Sequence, residues 1–155
     1  MLTPVKHRRR AAPAGAFALV ASRYNLRFVN GMLVAAVGEL RRARAETIKV
    51  VRVPGAWEIP VVAAKLAQTR PAFAAIICLG VIIRGQTAHA DQIGSAVSAS
   101  LARLQVGRGV PVIHEVLLLD DEAQARARCL SKTHNRGAEA ALTALEMARV
   151  MASLD

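Results

Sequence analysis

The first candidate for chemistry is a segment in which a glycine, an amide and a hydroxyl follow an apolar run. Gly80, Gly85, Gln86 and Thr87 spell GxxxxGQT, which lacks only the lysine of a phosphate-binding P-loop. Because residues 81–83 read as continued strand, we do not predict a nucleoside-triphosphate cradle. Gly85 ahead of a helix instead exposes the backbone N–H groups of Gln86 and Thr87, which favours the phosphate of a small substrate. The alternative is a glycine turn in which Thr87 caps the helix.

One histidine, His89, is a candidate catalytic residue, and the others that we consider do not form a metal-binding pattern. His89 stands at the start of the next helical stretch, and imidazole changes charge near neutral pH, so it can transfer protons there. The alternative is a polar surface residue. His114 and His134, taken with Glu115 and Asp91, match neither HExxH nor a cysteine–histidine site. We therefore predict no metal.

Two further loops carry groups suited to a planar, hydroxylated ligand. Pro54 and Gly55 follow a strand directly, and Glu58 comes in the first turn of the next helix. A carboxylate beside exposed backbone amides can hold a polyol chain or a heterocycle, although a carboxylate at a helix start is also favourable by itself. Tyr24, the only tyrosine, can stack on a planar ring or serve as a hydrophobic staple.

A third set of candidates is cationic. Arg126 and Arg128 lie in a short helical stretch, and Arg136 begins the last one. Acidic neighbours at 120–122 make a solvated charged face the default interpretation. A bound phosphate would change this, because a guanidinium clamps phosphate bidentately.

The elements that must position these residues alternate along the chain. Apolar runs rich in valine, isoleucine and leucine predict four strands covered on both faces, at 16–22, 47–53, 74–83 and 111–119. Apolar residues three and four apart predict helices at 27–44, 58–69, 89–106, 121–130 and 136–152. Strands joined by helices indicate parallel pairing. We expect an α/β fold, a four-stranded parallel sheet between two helical layers, with ligands at the carboxyl ends of the strands.

Length and composition set the outer limits. The 155 residues, 54% hydrophobic and 21% charged, fit one folded domain, which we place at 16–155. Two cysteines, Cys78 and Cys129, build neither a disulfide scaffold nor a zinc framework, which suits a reducing cytoplasm. No apolar run is long enough to cross a bilayer. We expect a cytoplasmic protein with no membrane partner.

The net charge of +10 calls for an explanation, and anionic partners are the usual one. Part of the excess lies in residues 1–15, which we interpret as a flexible basic leader. The remaining arginines are scattered, and only 3% of residues are aromatic, so stacking platforms for RNA are few. We predict no nucleic-acid partner, and a basic RNA-associated protein stays as the alternative from another class.

Five segments together resemble the 6,7-dimethyl-8-ribityllumazine synthase family of riboflavin biosynthesis. SRYN, VPGAWEIP, LGVIIRGQTAHAD, GVPVI and NRGAEAALTALEMA occur in family order over roughly residues 16–150. The resemblance implies a flavodoxin-like three-layer sandwich and a transferase that acts without a metal or organic cofactor. It implies condensation of 5-amino-6-(D-ribitylamino)uracil with 3,4-dihydroxy-2-butanone 4-phosphate, with release of phosphate and water. This is the penultimate step of the pathway.

The family motif also implies a role for individual residues. The residues implied for the pyrimidine and its ribityl chain are Tyr24, Ala56, Trp57, Glu58, Val81, Ile82 and Ile83. Those implied for the phosphate are Gly85, Gln86, Thr87 and Arg128. His89 would transfer protons, and Arg128 would join it in catalysis by anchoring the phosphate.

Departures from the family pattern bear on ring binding and assembly. His114 and Glu115 stand where many members carry Phe-Gly, an aromatic supplied by a neighbouring subunit, so His114 would cover the pyrimidine by flat stacking. Arg136 takes the place of a lysine and is a further candidate site residue. The bend CLSKTHNRG lacks the glycines associated with packing of pentamers into capsids.

The resemblance implies small-molecule substrates and a homo-oligomer, either a pentamer or an assembly of pentamers, with sites between subunits. Riboflavin synthase is a further partner that it suggests. The alternative within the family is a member that binds lumazine or flavin without turnover.

Overall fold

A computed structural model describes residues 15–155, so the predicted leader lies outside the described residues except for Gly15, and its boundary stays a prediction. The strands are β1 (Ala16–Ser22), β2 (Thr47–Val53), β3 (Ala75–Ile83) and β4 (Val112–Leu119). The helices are α1 (Leu26–Arg42), α2 (Ile59–Leu66), α3 (His89–Arg108), α4 (Glu122–Cys129) and α5 (Arg136–Ala152). A short 3₁₀ helix, Ala56–Glu58, precedes α2.

The four strands form one parallel sheet in the order β2–β1–β3–β4. Val20 of β1 pairs with Val51 of β2 and with Cys78 of β3, and Cys78 pairs in turn with His114 of β4. Parallel pairing brings the carboxyl ends of the strands to one edge of the sheet. The loops after β1, β2 and β3 therefore meet there, as predicted.

Helices cover both faces of the sheet and enclose two apolar cores. One core lies between the sheet and α1, α4 and α5 and contains Leu19 and Leu79; the other lies against α2 and α3 and contains Val20 and Cys78. Side chains alternate between faces along a strand, so residues one position apart in β1 or β3 enter different cores. The predicted three-layer α/β sandwich, flavodoxin-like in its parallel sheet, is confirmed.

β1, β2 and α5 have the predicted bounds, and the other elements differ from the predicted ones by one to three residues at one or both ends. α1 ends at Arg42 and not at 44 because Arg44 has a left-handed backbone, with φ of 59°. β4 begins after Pro111, which has no N–H for the ladder. α3 runs on to Arg108 and ends at Gly109, whose left-handed φ of 63° stops the helix.

The contact between α1 and α5 depends on a glycine that tolerates backbone at close range. A Cβ at Gly137 would overlap the carbonyl oxygen of Met32. Asn135 fixes this contact: its Oδ1 accepts from the N–H of Gly137 at 2.8 Å, and its Nδ2 donates to the carbonyl oxygens of Cys129 at 2.7 Å and Gly31 at 3.2 Å. One side chain thus caps α5 and binds it to α1 and α4.

Candidate functional site

A pocket of about 540 Å³ lies on the α2–α3 side, between the 3₁₀ helix and the first turns of α3. Its lining residues are Trp57, Glu58, His89, Gln92, Ile93 and Ala96. The last four are spaced i, i+3, i+4 and i+7 and so share one face of α3. The sequence prediction included Trp57, Glu58 and His89 and missed the other three. Helical spacing from His89 is the signal that would have identified them.

The loops after β1 and β2 are held together by backbone hydrogen bonds. The N–H groups of Arg23 and Tyr24 both donate to the carbonyl oxygen of Pro54 at 3.0 Å. The Tyr24 ring lies against Gly55 and is 69% exposed, and the Trp57 side chain is 60% exposed. Two aromatic side chains are therefore open to stacking on a planar ligand.

Glu58 is oriented by the turn in which it lies. Its Oε2 accepts from the N–H of Gly55 at 2.9 Å, while the N–H of Glu58 donates to the carbonyl oxygen of Gly55 at 3.3 Å. The carboxylate thus stabilises the start of the 3₁₀ helix and also lines the pocket, so its helix contact is observed and its role in ligand binding stays a prediction. Ala56, the first residue of the 3₁₀ helix, is buried.

Asn25 joins the first loop to the end of β3, which the sequence prediction did not foresee. It adopts a left-handed backbone, with φ of 56°, and its Nδ2 donates to the carbonyl oxygen of Val81 at 2.8 Å. Asparagine tolerates this conformation better than most residues. The Asn-after-Tyr order in SRYN was the available signal.

The three residues at the end of β3 do not all face the pocket. Ile82 packs with the core on the α2–α3 side, where the pocket lies. Val81 and Ile83 pack with the opposite core, so their side chains point away from it. Only the side chain of Ile82 is directed to the pocket side of the sheet.

Residues 85–87, which we call the glycine loop, connect β3 to α3 and are exposed. Thr87 Oγ1 accepts from the N–H of His89 at 3.4 Å, a long bond, and the N-cap residue Ala88 has no side chain that can cap the helix. Thr87 therefore caps the helix only weakly, through this one long hydrogen bond. The first N–H groups of α3 remain largely open, which favours an anion at this end of the helix.

Arg84, immediately before the glycine loop, is paired with two carboxylates. Its Nη2 lies 2.6 Å from Asp91 Oδ1 in the first turn of α3, and its Nη1 lies 2.6 Å from Asp120 Oδ1 just after β4. These hydrogen bonds to the guanidinium hold the pKa of both aspartates below the usual range. The nearest arginine to the glycine loop is therefore already neutralised.

His114 lies near the amino end of β4, far along the sheet from the glycine loop. It pairs with Cys78, five residues before Ile83, which corresponds to about 16 Å of strand. Its Nδ1 accepts from the N–H of Val116 at 3.2 Å, and its Nε2 lies 2.7 Å from Ser98 Oγ, which itself donates to the carbonyl oxygen of Gly94. These partners fit a neutral ring with its proton on Nε2, and partial burial lowers the pKa of His114.

Glu115 and Arg136 form an ion pair on the other face of β4. Arg136 Nε lies 2.6 Å from Glu115 Oε1, and Arg136 Nη1 lies 2.6 Å from Glu139 Oε2. Glu115 is only 4% exposed, and burial raises the pKa of its carboxyl although Arg136 opposes the shift. Arg136 is thus committed to two carboxylates within its own chain.

Arg128 is exposed at the end of α4, in the layer that also contains α1 and α5. It makes no hydrogen bond or ion pair with any residue that the structure describes, and its charge acts on Glu115 and Cys129. The pocket lies on the opposite face of the sheet. One chain therefore brings together the pocket, the glycine loop and His89, and leaves Arg128 and His114 apart from them.

The described residues show neither a metal-binding cluster nor a membrane-spanning helix. Within residues 15–155, no group of three or more histidine, cysteine or carboxylate side chains is arranged to hold a metal ion. Nor does any helix in this part of the chain have the length and apolar character needed to span a bilayer.

The chain is similar to a known protein family over most of its length. The model described as 6,7-dimethyl-8-ribityllumazine synthase matches residues 15–152. The matched range extends from the start of β1 to the end of α5 and includes the pocket, the glycine loop and β4.

Proposed function

The chain belongs to the 6,7-dimethyl-8-ribityllumazine synthase family, and from this premise we propose that it catalyses the reaction for which the family is named. Membership gives it a role in riboflavin biosynthesis as a transferase with small-molecule substrates and an oligomeric assembly. The proposed reaction joins 5-amino-6-(D-ribitylamino)uracil to 3,4-dihydroxy-2-butanone 4-phosphate and releases phosphate and water. The observation that carries the proposal is a pocket that unites Trp57, Glu58 and His89.

The pyrimidine substrate fits the aromatic side of this pocket. The exposed faces of Tyr24 and Trp57 suit a planar heterocycle, and Ile82 adds apolar surface on the same side of the sheet. Glu58 offers a carboxylate to the ribityl hydroxyl groups, since its Oε2 bond to Gly55 engages only one oxygen. These groups account for ring and chain binding without a cofactor.

The second substrate would place its phosphate at the glycine loop. The N–H groups of Gln86 and Thr87 and the open start of α3 stabilise an anion there. His89 begins α3 and lines the pocket, so it lies between the proposed phosphate and ring positions.

The chemistry asks for alignment and proton transfer. The 5-amino group attacks the ketone and forms an imine with loss of water, phosphate leaves by elimination, and the ribitylamino nitrogen closes the ring on the remaining carbonyl with loss of a second water. Holding two substrates in attack geometry supplies several kcal/mol of barrier reduction, and one general acid or base adds about 10²- to 10⁴-fold. His89 is proposed to carry protons to the leaving oxygen and from the attacking nitrogen.

A cation for the phosphate would come from a second copy of the chain. Arg84 is neutralised and Arg128 lies on the opposite layer, which supports a site completed by Arg128 of a neighbouring copy. His114, remote from its own pocket, would cover the neighbour's pyrimidine with its ring face. The assembly is proposed to be a pentamer or a set of pentamers, with riboflavin synthase as a partner and the cytoplasm as location.

The direct test is formation of the lumazine chromophore by the purified full chain with both substrates. Absorbance should rise with time only when both substrates are present, and inorganic phosphate should appear with it. Tight binding of lumazine without any turnover would favour the non-catalytic alternative. Salt-sensitive binding to unrelated RNAs without turnover would favour the RNA-associated alternative.

A further inference from the structure

Arg84 connects the ends of three elements around the glycine loop. Its N–H donates to the carbonyl oxygen of Leu119 at 2.8 Å, which attaches the end of β3 to the end of β4. Its guanidinium bonds Asp91 in α3 and Asp120 after β4, each at 2.6 Å. Gln124 holds Asp120 from the other side: its Nε2 donates to Asp120 Oδ2 at 3.1 Å, and its Oε1 accepts from the Asp120 N–H at 3.0 Å.

The glycine loop has few other anchors. A Cβ at Gly85 would meet nothing within 4 Å, so this residue lies in open space. The hydroxyl of Thr87 makes only the long bond to His89, and within residues 15–155 the Gln86 side-chain amide has no hydrogen-bond partner. The position of the loop therefore depends on Arg84 at one end and on α3 at the other.

We propose that Arg84 is a positioning residue, which holds the glycine loop so that its backbone N–H groups face the substrate phosphate. One guanidinium shared by two carboxylates has no net attraction left for an incoming anion, so its contribution is geometric. The inference rests on the proposed function, since it takes the glycine loop as the phosphate site.

The first test is Arg84→Gln in the full chain. The KM for the butanone phosphate and the inhibition constant of inorganic phosphate should each rise about tenfold, because a displaced loop misplaces its donors. The KM for the pyrimidine should stay within about twofold. Arg42→Gln is the matched control, since Arg42 is also exposed and ion-paired, with Glu39 at the far end of α1.

A second pair of variants separates geometry from charge. Arg84→Lys keeps the charge but lacks the planar fork that reaches two carboxylates, so it should recover little of the phosphate affinity. The triple variant Arg84→Gln, Asp91→Asn, Asp120→Asn removes the carboxylate repulsion and should stay impaired as well. Wild-type constants in either one would overturn the proposal, as would equal weakening of both substrates.

Direct binding of inorganic phosphate, measured by calorimetry, makes the test independent of turnover. If the wild type bound phosphate but formed no lumazine, the proposed function would fail, while the comparison with Arg84→Gln would still decide the role of Arg84. Asp120→Asn, which removes one of the two pairs, should give a smaller loss of about threefold. An unchanged phosphate affinity in both variants would refute the positioning role.

Discussion

His89 and His114 are both exposed histidines of the proposed site, but they differ in the hydrogen bonding of their ring nitrogens. The ring of His89 lines the pocket and bonds no described residue through its nitrogens, whereas both nitrogens of His114 are engaged by Val116 and Ser98. A ring with free nitrogens can exchange a proton with a ligand. A ring with bonded nitrogens offers its face.

His89→Ala should therefore lower turnover by about ten- to a thousandfold and leave both substrate affinities within a few-fold, because orientation of the substrates persists. Single-turnover formation of the lumazine chromophore at saturating substrates measures this. His134→Ala, which changes an exposed histidine between α4 and α5, is the control. Unchanged turnover would show that His89 is only a polar surface residue. Loss of substrate binding together with turnover would show that His89 holds the loop in shape.

Arg128→Ala should impair use of the butanone phosphate by about 1.5 to 3 kcal/mol, since it removes a charge-assisted contact. Binding of the pyrimidine should hardly change. Arg126→Ala on the same helix is the matched control, because Arg126 is paired with Glu122. The affinities for the pyrimidine and for the butanone phosphate should be measured separately. Equal weakening of both affinities would contradict the assignment of Arg128 to the phosphate.

The lowered pKa of His114 predicts a pH dependence of stability. The unfolded chain takes up a proton near pH 6.5 while the folded chain resists it, so stability from this residue is present above about 6.5 and is lost as pH falls toward the lowered pKa. As pH drops from about 7.5 to about 5.5, the urea denaturation midpoint of the wild type should fall relative to that of His114→Gln, because only the wild type has this histidine to protonate. A constant difference between them would show that His114 does not titrate in this range.

Candidate site residues could be chosen from the sequence where the residue type by itself indicates a chemical role. Tyr24, Glu58 and His89 could be chosen because an aromatic ring, a carboxylate and an imidazole each followed a predicted strand. Arg84 could not, since its role depends on carboxylates 7 and 36 residues away that only the folded chain brings to it.

At the level of elements, the strands were predictable because buried parallel strands are continuous apolar runs. Two of the four predicted strands, 16–22 and 47–53, have the observed bounds. The helix predicted over 58–69 became a 3₁₀ turn plus a shorter α2, because periodicity reports which face is buried and does not register the change of helix type before Pro60.

Gly137→Ala should destabilise the fold by about 1 to 3 kcal/mol, because the added methyl group would overlap the backbone of Met32 and separate α5 from α1. Gly107→Ala is the matched control in another helix, where a Cβ meets nothing within 4 Å. It should be neutral or stabilise by about 0.5 to 1 kcal/mol. Thermal and urea denaturation of both variants test the pair, and equal stabilities would show that the interhelix contact relaxes freely.

For the whole molecule, the placement of Arg128 and His89 on different layers predicts activity only in an assembly. Native mass measurement should give at least a pentamer, and an active monomer would contradict this. Co-refolding equal amounts of His89→Ala and Arg128→Ala chains should restore activity at about one site in four, since random neighbours then pair intact halves. Mixtures no more active than their parents would indicate that both residues serve the same pocket within one chain.

The separation of the pocket from Arg128 has a consequence for the enzyme in dilute solution. A newly synthesised, unassembled chain would contain both the pocket and Arg128, but the two could not act on the same substrate. Specific activity should therefore rise with protein concentration until assembly is complete. If the proposed reaction holds, the rate per copy of the chain would depend on the concentration of the protein as well as on that of its substrates.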